Sequence, residues 1–178
     1  MNQNLTNVCD YDAAHLGEAL GYQLRSGRKT RNLLLCAAAL IILGYSLYIW
    51  LIGGESKYWV TAFLSVVMLV LLAFTNFAAP RMTAKSQAAK IREVNGGSAF
   101  RFEFLEEHLQ MTLPSGERSD PIDYGELTRA VETRSLILLF TKAATMLILD
   151  RAGFQNGTEE DCWTQIAAKC PSILIQKK

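Results

Sequence analysis

The chain has no Asp, Glu, Lys, Arg or His between Leu33 and Ile52, and none between Trp59 and Ala79. A charge-free stretch of about twenty residues, helical at ~1.5 Å per residue, matches the ~30 Å hydrocarbon thickness of a bilayer. A chain of 178 residues has little interior in which to hide two such helices, so the expected solvent for both is lipid. Histidine is scarce: His15 and His108 are the only two, and neither stands in H-E-x-x-H or another ligand spacing. The four cysteines, Cys9, Cys36, Cys162 and Cys170, form no C-x-x-C and no zinc spacing, and are expected as buried small hydrophobes without disulfides. No small-residue A-x-A site follows the first apolar run, and Met1 to Asn32 is too long and too acidic for a signal-peptide n-region.

The positive charges flank the apolar runs. Arg25, Arg28, Lys29 and Arg31 precede the first, and Arg81, Lys85, Lys90 and Arg92 follow the second, whereas the loop from Gly53 to Tyr58 offers only Lys57. Lys and Arg resist translocation, so this asymmetry predicts a hairpin with both termini in the cytoplasm, in a multi-pass inner (plasma) membrane protein. Tyr45, Tyr48, Trp50, Tyr58 and Trp59 gather toward the loop, where amphipathic rings settle among headgroups. Each basic residue near an anionic leaflet contributes about 1 kcal/mol, which makes these eight the candidate contacts with the membrane surface.

Four segments follow: 1–31, with Asp10 as helix N-cap and a short helix from Tyr11 to Leu24; a transmembrane hairpin at 32–79, with spans of about 33–52 and 59–79; a basic helical stem at 80–97, after Pro80 and stopped by Gly96-Gly97; and a β domain at 98–178. In the last, Phe100, Phe102 and Phe104 alternate with Arg101 and Glu103, and Leu109, Met111 and Leu113 continue the period of two past a turn at Glu106-Glu107-His108. Pro114 to Glu117 has the chemistry of a tight turn, and strands are predicted at 127–132, 136–141 and 145–150. A final helix opens at Thr158 as N-cap, carries Trp163, Ile166, Ala167 and Cys170 on one side, and stops at Pro171. The N-terminal run Leu5-Thr6-Asn7-Val8 alternates like an edge strand that could join the same sheet. The fold class is therefore an α+β membrane protein: a two-helix transmembrane hairpin plus a small antiparallel β-sheet domain closed by a C-terminal helix.

This order of parts, with Asp10-Tyr11, the stretch Tyr124 to Thr133, the apolar strand Leu136 to Phe140 and the segment Leu149 to Phe154, resembles the YcxB-like family of bacterial membrane proteins. The resemblance implies a C-terminal domain like bacterial pleckstrin-homology-like folds and no assigned activity. Function must still be argued from a site.

Few residues suggest chemistry. Asp120, Asp123 and Asp150, with His108, are the only acids and base that a hydrolase reading could use, and no nucleophile motif accompanies them. Arg151 either meets an anionic group or joins a surface ion pair, the second being favoured. Within the spans only Ser46, Thr61, Ser65, Thr75 and Asn76 are markedly polar, a pattern that favours helix packing over an ion path. The expectation is a non-enzymatic, membrane-anchored cytoplasmic binding module, with a small oligomeric transporter or channel subunit as the alternative. Its partners would be the bilayer with its anionic headgroups and a protein partner or second copy of the chain, with no cofactor, metal or nucleic acid.

Overall fold

The computed structural model describes residues 4–53 and 57–177, with the side chains of 25–30, 53 and 57 set aside. The chain is α+β, with a helical region and two four-stranded sheets. It divides into two compact units, one formed by Met1–Ala19 with Thr83–Lys178 and the other by Leu20–Met82.

The first unit holds both sheets. Strands β1 (Leu5–Asp10), β2 (Ala99–Phe104), β3 (His108–Thr112) and β4 (Ile122–Asp123) pair antiparallel in that order. Strands β5 (Leu127–Glu132), β6 (Leu136–Thr141), β7 (Met146–Asp150) and β8 (Leu174–Gln176) form the second sheet in the order β7-β6-β5-β8, with β8 parallel to β5. The N-terminal run is thus the edge strand its alternation predicts, in register from Leu5 opposite Phe104 to Asp10 opposite Ala99. A single antiparallel meander is not what forms. The stretch holding Pro114 and Pro121 returns the chain to the first sheet as β4, and a 3-10 turn at Tyr124–Glu126 then leads it into β5 of the second. His108, expected in a turn, opens β3.

Phe100, Phe102 and Phe104 are buried, as their alternation requires, whereas on β3 Leu109 is buried beside Gln110 and Met111 is only half-buried. Gln110 is satisfied by donating from Nε2 to the Ser119 carbonyl at 2.8 Å. Leu136 to Leu139 of β6 are all fully buried, the signature of a strand covered on both faces.

Strand β1 also ties the two sheets together. Its Asn7 is fully buried, donates from Nδ2 to the Asp150 carbonyl at 2.6 Å and accepts the Asp150 amide at 3.2 Å. The Val8 amide donates to Gly153 and the Gln155 amide to Thr6, so β1 bonds β2 along one edge and the 150–155 segment along the other. Just beyond, the Tyr11 ring lies 4.3 Å from Phe100, and its hydroxyl accepts the Ile148 amide at 3.0 Å.

Helix α1 runs unbroken from Ala13 to Gly53, where a separate short helix was expected before the first span. Asp10 belongs to β1, and the cap is Asp12, whose Oδ1 accepts the His15 amide at 2.8 Å. Helix α2 (Lys57–Ala73), a π segment (Phe74–Ala78) and helix α3 (Ala79–Asn95) are also continuous. Pro80 lacks an amide for the usual i−4 bond, and just before it the helix widens so that the Ala79 amide reaches the Phe74 carbonyl five residues back. Helix α3 ends before Gly96, whose φ of 70° suits glycine. Helix α4 (Glu159–Lys169) begins with a reciprocal Thr158–Asp161 capping box that holds the Asp161 carboxyl below its usual range. It buries Cys162, Trp163 and Ile166, while Ala167, expected on that side, is exposed.

Candidate membrane-contact surface

Among the described residues two helices, Arg31–Ile52 and Tyr58–Asn95, are long and apolar enough to cross a membrane, and only 11% and 6% of their most apolar windows are buried. Leu33, Ile41, Leu51, Ile52, Val70 and Leu71 are more than half exposed. In water each would forgo roughly 1.5–3 kcal/mol of transfer free energy. The few buried positions are small, with Ala39, Ser46 and Ser65 among them, the residue type that lets helix backbones approach. Ser65 donates to the Thr61 carbonyl of its own helix, and Asn76 donates to Leu72 and accepts from Asn32 across the hairpin. Ser65, Thr75 and Asn76 thus each bond a carbonyl of their own helix, and Asn76 also bonds Asn32.

Of the basic flank, Arg31, Arg81, Lys85, Lys90 and Arg92 are exposed, while the side chains of Arg25, Arg28 and Lys29 lie outside the described residues, as do loop residues 54–56. At about 100° per residue, Arg81, Lys85 and Arg92 fall within about 40° of one another on α3, and Lys90 points to roughly the opposite side. This column flanks the packed stripe of Ala84, Ala88, Ile91 and Asn95. At ~1.5 Å per residue, Arg81 and Lys85 stand about 3 and 9 Å beyond Ala79, and Lys90 and Arg92 about 16 and 20 Å. Were a charged surface to lie at the end of the second run, a Debye length of about 8 Å would leave the first two as the α3 residues most strongly coupled to it.

In the β-containing unit, the favoured ion-pair reading of Arg151 holds. Its Nε meets Glu159 at 2.8 Å and Nη1 meets Glu132 at 3.0 Å and the Thr133 carbonyl at 3.2 Å. Glu159, which also accepts from Trp163 Nε1, raises the Arg151 pKa through that hydrogen bond. Beside it, Glu18 of α1 caps the β5–β6 turn, accepting the Ser135 amide at 3.0 Å and Ser135 Oγ at 2.7 Å. Burial pushes the Glu18 carboxyl up, but the hydrogen bonds from Ser135, Thr133 and the turn amides outweigh it and hold the carboxyl low. A depressed carboxyl contributes stability above its unfolded pKa, ~4.3 for Glu, and loses it as the pH falls through the folded value. Glu18→Gln is therefore expected to lower the unfolding temperature at neutral pH and to flatten the acid limb, so that variant and parent converge at low pH. An unaltered acid limb would reject this role.

The acids singled out for hydrolysis are not assembled together. His108 lies opposite Asp123 across β3 and β4, Asp120 is exposed on the preceding connection, and Asp150 accepts the Ala152 amide in the turn after β7. A groove of about 460 Å³ lies between the β1–β2 end and α4, with Leu5 and Phe104 on its wall and Gln165 and Lys169 at its edge. Lys169 is already held there by the Leu105 and Glu106 carbonyls, at 2.8 and 2.7 Å. Glu18, Asn7 and the Asn32–Asn76 pair were not singled out from sequence in these roles. Asn7 had a visible signal, a polar residue on the Leu5–Cys9 face of an alternating strand. Glu18 had none, since its partner is 117 residues away.

Comparison with protein-family models, with curated proteins and with solved structures finds no match to this chain.

Proposed function

We propose that the chain is an integral inner-membrane protein of YcxB-like type, whose hairpin anchors a small cytoplasmic β domain that binds a protein partner or the lipid surface without catalysis. The observation that carries this reading is the pairing of β1 with β2. Residues before the first apolar run and after the second are hydrogen-bonded to each other, so two spans between them must leave and re-enter on one side. The basic flanks favour the cytoplasm as that side. Within the domain, three of the segments carrying the family resemblance are paired side by side, Arg129 to Glu132 with Ile137 to Phe140, and Leu136 and Ile137 with Asp150 and Leu149. The α4 groove offers the domain a concave face for a partner.

The test uses the full-length protein in cells. Tags at both ends are expected to stay protected from protease in intact spheroplasts, while a cysteine replacing Ser56 reacts with an impermeant maleimide. Tags reporting opposite compartments would refute the hairpin. Affinity capture from mild detergent then tests the binding role, and solute flux in proteoliposomes would favour the transporter alternative.

A further inference from the structure

Helices α1 and α2 enclose a crevice of about 450 Å³ at the end of the hairpin away from its loop. Its walls include Leu24, Leu35 and Leu72, and its polar lining includes Arg31, Asn32 and Asn76. Arg31 and Asn32 directly precede the first charge-free run, and Asn76 lies within one turn of the end of the second. If the runs span a bilayer, the crevice sits where hydrocarbon gives way to headgroups.

The polar lining is rich in donors. Asn32 Nδ2 donates to Asn76 Oδ1 at 2.7 Å, and Asn76 Nδ2 donates to the Leu72 carbonyl at 2.6 Å. Each amide nitrogen carries two N–H groups, so one on each stays available beyond these bonds. Arg31 adds a five-donor fork suited to phosphate, and among the described residues no carboxylate lines the crevice. The leucines supply a surface that a soluble phosphate would not use and an acyl chain would. The adjoining π segment at Phe74–Ala78 is a feature frequent at functional sites. The volume suits a phosphate, its glycerol and the first methylenes, with the remaining chain left in the bilayer.

Building on the membrane reading above, we propose that this crevice is a binding site for one anionic phospholipid, with its phosphate on Arg31 and the Asn32–Asn76 amides and its chain along Leu35 and Leu72. The test is native mass spectrometry of the full-length protein released from nanodiscs of equal parts phosphatidylcholine and phosphatidylglycerol. Wild type is expected to retain one phosphatidylglycerol with about tenfold preference. Arg31→Gln should reduce that preference to near parity, and Arg31→Lys, which keeps the charge but loses the fork, should fall between. Arg92→Gln, an equal charge loss outside the crevice, should leave it intact. No preference in wild type, or an equal loss in Arg92→Gln, would overturn the site. Displacement of the lipid by glycerol 3-phosphate beyond the effect of sodium chloride at matched ionic strength would overturn the lipid assignment in favour of a soluble phosphate. Alkali washing of membranes carrying the protein separates the two readings. Release into the supernatant would defeat the membrane reading, whereas retention without selectivity defeats the crevice alone.

Discussion

Phe102→Ala is expected to destabilise the β-containing unit by about 3–5 kcal/mol, the usual cost of deleting a buried aromatic ring. Phe102 is fully buried on β2, with β1 on one side and β3 on the other, opposite Asn7 and Met111 in register. Its ring lies 6.5 Å from Tyr11, so the void would open beside the residue that receives the Ile148 amide. The chain carries its own reporters of this loss. Cys9, Cys162 and Cys170 are buried free thiols, and burial pushes Cys162 up to about 12 and raises the other two as well. Thiolate is the reactive form, so alkylation near neutral pH should be slow until the unit opens. In full-length protein in mild detergent, the urea midpoint for alkylation of these three cysteines should fall sharply in the variant. An unshifted midpoint would mean that the ring contributes little to the packing.

Ile42→Asp is expected to be the most disruptive change in the hairpin. Ile42 is at the middle of the first charge-free run and nearly half exposed. Aspartate there replaces a residue favouring insertion by about 0.3–0.6 kcal/mol with one opposing it by about 2.5–3.5 kcal/mol. A combined penalty near 3–4 kcal/mol lowers the insertion equilibrium by about two to three orders of magnitude. Protein recovered in the pellet after alkali washing should drop accordingly, and the exposed loop should lose its maleimide labelling. Equal recovery of variant and parent would argue that this helix is not in lipid.

Local patterns carried much of this structure in readable form. Strand β2 announces itself through three phenylalanines at every second position, β6 through its unbroken run of aliphatics, and α4 through Thr158 and the acids that follow it. The edge strand β1 could be read because Leu5 to Val8 alternates. Features set by distant partners were not readable. The chain changes sheet after β4, at the 3-10 turn of Tyr124–Glu126, which no periodicity announces, and β8 is a three-residue strand that pairs parallel with the distant β5. The unbroken α1 overrides the expected separation of an N-terminal helix from the first span. At the candidate surface, sequence located the charges. Helical geometry was needed to rank Arg81 and Lys85 above Lys90 and Arg92.

The β-containing unit is drawn from both ends of the polypeptide, and this imposes an order of events during synthesis. Strand β1 leaves the ribosome first, yet the strand it pairs with begins at Ala99. At about 5–20 residues per second, β1 waits several seconds with its hydrogen-bonding edges unclaimed while the two apolar helices are synthesised. The nascent leader is therefore open to chaperones throughout that interval, and stalling translation just before Ala99 should leave Cys9 fully alkylable.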